Sequence, residues 1–236
     1  MSIFFKIVGV LILGALGALI FNVSVLPYFL ASSYFENFQF VKDFKQGKIV
    51  VNPKEQVYIQ ENTAIQDAVQ RVQKSIVAIQ SATLGLKSGL IATSDGTIIT
   101  LASSIPAGGN FKVYVQGEPA SFKVVKIDYK NNLALIKIDK NNLPTIGFAD
   151  LGKIKLGQAV FLVAATSANQ DNWLANSGIV REIGENSIKT NISERQISAG
   201  SPLFNSAGEL VGINFIDQEG KTSAIPINKI QALLGL

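Results

Sequence analysis

The feature that most constrains this chain is a long series of short β-rich runs set between turn residues. The first six runs are Ser75 to Gln80, Gly89 to Thr93, Thr97 to Leu101, Phe111 to Val115, Phe122 to Asp128 and Ala134 to Ile138. A second series runs through Ala159 to Ala164, Gly178 to Ile183, Ser187 to Thr190, Leu210 to Phe215 and Thr222 to Ile225. Strands about 8 to 12 residues apart, with no helices between them, specify antiparallel sheets that close or stack, because each strand must bury a face. The series breaks from Asn141 to Lys155, so the spacing predicts two barrels, about 75–140 and about 155–226. The stretch Ile227 to Leu234 has helical spacing and closes the domain.

Ahead of the strands, Lys6 precedes an apolar run from Ile7 to Leu30, interrupted only by small residues, Asn22, Ser24 and Pro27. As a helix such a run reaches roughly 36 Å, enough to cross a bilayer. A cleaved signal peptide is the alternative, but its apolar region is usually only about 7 to 15 residues long. The sequence therefore favours an uncleaved, single-pass signal anchor over 1–31, with the rest of the chain extracytoplasmic, at the periplasm or cell surface. Lys42, Lys45 and Lys48 on the far flank reduce the charge asymmetry that sets this orientation. Gly14 and Ala18 form a small-xxx-small pair, which leaves an oligomer open. The polar residues 32–61 read as a stalk, and the folded domain is expected over 62–236. Thr63 and Gln66 form a capping-box pattern, followed by Ile65, Ala68, Val69 and Val72 at helical spacing.

The chain has no histidine and no cysteine. Their absence excludes thiol chemistry, disulfides, imidazole or thiolate zinc sites and c-type haem. It also removes the usual base that activates a serine near neutral pH. The net charge is +4, but Lys and Arg are scattered without the basic stripe of a nucleic-acid binder, so no nucleic acid is expected. Asp128, Asp139 and Asp150 each sit beside turn residues, where carboxylates commonly lie. With no glycine-rich phosphate loop either, neither a metal nor a cofactor is expected.

Three blocks carry a family resemblance. The first is Lys87-Ser88-Gly89-Leu90-Ile91-Ala92, continuing through Asp95-Gly96 to Thr100-Leu101-Ala102-Ser103-Ser104. The second is Asp128-Tyr129-Lys130-Asn131-Asn132-Leu133-Ala134-Leu135-Ile136-Lys137. The third runs from Thr190 through Gln196-Ile197-Ser198-Ala199-Gly200-Ser201 to Pro202-Leu203, followed by Gly208 to Asn214 and Ser223 to Asn228. In that order, from about Glu61 to the chain end, they resemble the HtrA/DegP-type trypsin-like serine proteases. The resemblance implies an all-β fold of two six-stranded antiparallel barrels, here behind a transmembrane helix. The peptide-binding PDZ module of many members is not expected here, because no block of this sequence resembles it.

The resemblance also assigns positions. Ser103 stands where the family has its catalytic histidine, Asn132 where it has the acid and Ala199 where it has the nucleophile. Ile197 replaces the glycine whose amide helps to form the oxyanion hole, and a β-branched residue resists the left-handed backbone that glycine tolerates. The expectation is a pseudoprotease with a collapsed or refilled hole and a retained groove for a polypeptide or protein partner. Trp173, Ser198, Gly200 and Ser201 are the candidate pocket-lining residues. Two alternatives stay open. One is a peptidase with rearranged residues, such as a dyad of Ser103, Ser198 or Ser201 with Lys87, Lys189 or Arg195. The other is a purely structural subunit of a membrane complex.

Overall fold

The computed structural model describes residues 2–35, 38, 41–42, 61–106, 108, 110–217 and 219–236. Its contacts group into two units, 1–58 and 59–236. Most of the expected stalk over 32–61, with Lys45 and Lys48, lies outside the described residues.

In the first unit, helix α1 (Ser2–Ile20) passes into a π-helical turn (Phe21–Val25) and then α2 (Leu26–Ala31). Pro27 accounts for the irregular turn, because a proline lacks the amide that an α-helix needs and crowds the carbonyl four residues back. The Leu26 amide accordingly donates to Phe21, five residues back. Phe5–Phe29 has a mean hydropathy of 2.3 over its apolar window and is long enough to cross a membrane.

The second unit opens with helix α3 (Glu61–Val72), so Thr63 lies within the helix instead of capping it. Ala68 and Val72 are its buried positions. Seven strands follow: β1 (Ile76–Ser81), β2 (Gly85–Ile91), β3 (Thr97–Leu101), β4 (Phe111–Val115), β5 (Glu118–Ala120), β6 (Phe122–Asp128) and β7 (Leu133–Ile138). They form one antiparallel sheet in the order β5-β4-β1-β2-β3-β7-β6. The remaining strands are β8 (Ala159–Ala165), β9 (Trp173–Ile183), β10 (Ile188–Ser193), β11 (Pro202–Asn205), β12 (Leu210–Ile216) and β13 (Lys221–Pro226). These six close into a barrel, β10-β13-β12-β11-β8-β9. Helix α4 (Ile227–Leu234) ends in the left-handed Gly235 and buries Ile227, Ile230 and Leu233.

Of the two six-stranded barrels expected, the second is closed, and the first is a half-barrel sheet with seven strands. The additional strand, β5, is only Glu118-Pro119-Ala120, and its proline has no amide to contribute to a ladder. A two-residue turn with both φ positive, Gln116 (53°) and Gly117 (84°), joins it to β4, the backbone that tight hairpins favour. Only Ser121 separates β5 from β6, so the two sheet edges meet in sequence at one bend. The Phe111 and Phe122 rings pack there with centroids 4.4 Å apart.

Side-chain alternation sorts the core into three parts. Val77, Ile79, Ile91, Ile98, Val113 and Ile136 fill the open sheet, and Val160, Leu162, Ile188, Leu203 and Val211 fill the barrel. Between the two lies a shared core including Ile76, Leu90, Leu101, Leu133, Phe161, Ala199, Phe204 and Ile213. A polar staple crosses the same division. Gln170, on the β8–β9 loop, donates from Nε2 to the Ile76 carbonyl at 2.8 Å and accepts at Oε1 from the Gly117 amide at 2.8 Å. At the β2–β3 turn, the Asp95 carboxylate accepts from Lys137 at 2.6 Å and from Thr93, which together hold its carboxyl near a pKa of about 2.

Candidate functional site

The shared core fixes where the three resembling blocks meet. Ser103 sits in a one-turn helix, Ala102–Ser104, directly after β3. Its amide donates to Asn132 Oδ1 at 2.8 Å, and the Ala102 amide donates to the Asn132 carbonyl at 3.0 Å. Asn132 has φ 53°, a left-handed conformation that asparagine tolerates better than most residues. The turn before it is closed by Asp128, whose two carboxylate oxygens accept from the Asn131 amide (3.1 Å) and from Asn131 Nδ2 (2.6 Å). Those bonds hold the Asp128 carboxyl below the usual range. Leu101 and Leu133, which flank this pair of turns, pack into the same core as Ala199.

Ala199 lies on the loop between β10 and β11. Its carbonyl accepts the Ser88 amide at 3.3 Å, and the Ser88 carbonyl accepts Thr100 Oγ1 at 2.8 Å. Gly200 has φ +82°, and a Cβ there would sit 2.3 Å from the Ser88 carbonyl oxygen. Only glycine fits this crossing. On its other side the Gly200 amide donates to the Asn214 carbonyl at 2.9 Å, while Asn214 donates through its amide to the Ser201 carbonyl (2.8 Å) and through Nδ2 to Ser201 Oγ (3.1 Å).

The turn before Ala199, Gln196–Ser198, is helical. Within it the Ala199 amide donates to the Gln196 carbonyl at 3.2 Å, and Ile197 is absent from the left-handed residues. An oxyanion hole needs that amide aimed at the reacting carbonyl. Here it is engaged within its own loop. Lys87 Nζ donates to the same Gln196 carbonyl at 2.6 Å, and partial burial lowers the pKa of this lysine. Gln196 Nε2 donates to the Ile216 carbonyl at 3.1 Å. Ile216 is two residues beyond Asn214, so by strand alternation its amide and carbonyl face the side on which Asn214 pairs with the Gly200–Ser201 segment. That segment does not reach Ile216. The Gln196 side chain occupies the strand edge left open there.

The structure thus joins Ser103 to Asn132 directly and places Ala199 in the core that also holds their neighbours Leu101 and Leu133. Three of the four candidate pocket-lining residues are enclosed. Ser198 and Ser201 are fully buried and Gly200 is buried, because their loop threads between the sheets. Trp173 pairs with Ala165 at the start of β9 and packs half-buried against the shared core. Among the described residues no lysine ammonium bonds a serine hydroxyl, and Lys189 pairs with Glu182 at 2.9 Å. No cluster of three metal-ligating side chains occurs among the described residues.

A cleft of about 350 Å³ opens beside Asn132, lined by Lys130, Asn131, Asn132, Asn186, Phe215 and Ile225. Sequence inspection misses it, because its walls come from three separate hairpins. Gln196 and Ser88 are missed as well, since neither carries a motif of its own.

The fold and seam are those of the trypsin-like peptidases. Residues 87–213, more than half of the chain, match the family described as "Trypsin-like peptidase domain", and the chain belongs to that family. A Synechocystis sp. protein named as the serine protease HhoB is 26% identical over 155 residues, 59% of this chain and 37% of that protein. A Halomonas elongata protein named as a DegP-like periplasmic serine endoprotease is 30% identical over 131 residues, 52% and 27% of the two chains. The crystal structure of a serine endoprotease from Yersinia pestis superposes with a TM-score of 0.64 at 27% identity, covering 72% of this chain and 65% of that one. The chain spans about a third of the length of these curated relatives.

Proposed function

We propose that this chain is a membrane-anchored, catalytically inactive trypsin-like peptidase homologue whose retained groove binds an extended polypeptide. The observation that carries the proposal is at Ala199: a methyl with no lone pair stands at the nucleophile position, and its amide bonds the Gln196 carbonyl. Around it, Ser103 has no pKa suited to a general base, and the Asn132 amide is uncharged. Backbone pairing along a strand edge needs none of these groups, and Ile216 supplies such an edge once the Gln196 side chain gives way. The apolar Phe5–Phe29 supports an anchor, and relatives named as periplasmic support an extracytoplasmic domain.

The test uses the full chain in detergent micelles with fluorescently labelled, unfolded casein. Saturable binding at micromolar concentration without cleavage is expected. Absence of binding at high micromolar concentration overturns the groove, and casein fragments that survive rigorous repurification overturn the inactivity.

A further inference from the structure

We propose that the cleft formed by Lys130, Asn131, Asn132, Asn186, Phe215 and Ile225 receives a carboxylate carried by the bound polypeptide, a claim that rests on the polypeptide-binding reading above. The orientation of Asn132 is the first reason. Its Oδ1 is committed to the Ser103 amide at 2.8 Å, so the group it has left to offer is Nδ2, a donor. An aspartate there would turn a second acceptor oxygen outward and repel an anion. The amide therefore makes this side of the cleft attractive to one.

Lys130 supplies the charge. It forms no ion pair among the described residues, since the carboxylate on its own turn, Asp128, is occupied by the Asn131 amide and by Asn131 Nδ2. Asp128 is also absent from the cleft lining. Phe215 and Ile225 form the apolar part of the wall, and an ion pair beside such a surface is screened less than one in open water. Phe215 links the cleft to the strand edge, because the next residue, Ile216, is the one whose carbonyl faces that edge. A strand laid along Ile216 thus lies one residue from a cation, a fixed amide donor and two further asparagines.

The carboxylate could be an acidic side chain or a chain terminus, and matched probes distinguish the two. The first pair of fluorescein-labelled heptapeptides, alternating valine and alanine, carries a central glutamate or glutamine with an amidated end. The second pair is neutral, with a free or an amidated terminus. With the full chain in micelles, at least one acid probe is expected to bind about five- to tenfold tighter than its neutral partner, the gain of a charge-assisted contact. Lys130→Met and Asn132→Asp should each erase most of that gain, with thermal melts confirming the fold. N-acetylglutamate is then titrated while the Asn132 side-chain amide is followed by NMR, which tests the cleft without a strand.

Acid and neutral probes that bind equally in both pairs, with no movement of the Asn132 signal, overturn the carboxylate receptor and leave the groove standing. An Asn132 signal that shifts while no heptapeptide binds overturns the groove and keeps the receptor. An acid preference that survives Asn132→Asp places the carboxylate elsewhere and refutes the assignment.

Discussion

Replacing Gly200 with alanine puts a methyl where the seam has no space, and the cost follows from two parts. Gly200 holds φ +82°, and its added Cβ would lie 2.3 Å from the Ser88 carbonyl oxygen and 2.8 Å from Thr100 Oγ1. The left-handed backbone alone costs alanine about 1 kcal/mol. Displacing the Ser88 carbonyl breaks its 2.8 Å bond from the buried Thr100 hydroxyl. Leaving that pair unsatisfied adds about 1 to 3 kcal/mol. The sum, about 2 to 4 kcal/mol, lowers the melting temperature of a domain this size by roughly 4 to 16 °C. Circular dichroism melts of Gly200→Ala and the parent chain, in the same detergent, measure the difference. A shift under about 1 °C refutes the reasoning, because the Ala199 loop would then be loose enough to move away from Ser88.

Gln196→Ala removes the bond to the Ile216 carbonyl and opens the strand edge, so anisotropy with unfolded casein should give about two- to tenfold tighter binding, the worth of one exposed hydrogen bond. Asp95 has a carboxyl pKa lowered from 3.8 to about 2, so its stabilising effect is complete above about pH 4 and fades as pH falls toward 2. The difference in urea midpoint between the parent chain and Asp95→Asn should therefore be constant from pH 5 to 7 and shrink below 4; growth on acidification contradicts the pairing. Grafting Ser103→His, Asn132→Asp and Ala199→Ser should yield little casein cleavage while the residue 199 amide stays bonded to Gln196. Adding Ile197→Gly should raise the rate about 10²- to 10³-fold, the usual worth of an oxyanion-hole donor, and equal rates would show that the hole forms regardless.

Most strands are legible from their alternation: the limits expected for Thr97 to Leu101, Phe111 to Val115 and Phe122 to Asp128 match β3, β4 and β6. The two strands that escape are β5 and β11, one with a proline at its centre and the other with a proline at its start. Their pairing is set by neighbours and not by their own pattern. The open edge of the first sheet is invisible for a related reason, since closure depends on how the chain bends at Ser121. At the site, residue identities at 103, 132, 197 and 199 could be read by matching blocks. The bonds that define their state could not. The Asn132 link to Ser103 spans 29 residues, the Lys87 link to Gln196 spans 109, and neither has a sequence signature.

Catalytic inactivity of this chain requires, above all, that it hold no activated nucleophile. The measurement is fluorophosphonate labelling of the purified full chain, followed by mass mapping of every modified residue. No serine modified above the level in an unfolded control is the expected result. Stoichiometric labelling of Ser103, Ser198 or Ser201, lost on unfolding, would contradict it and make this chain a peptidase with rearranged residues.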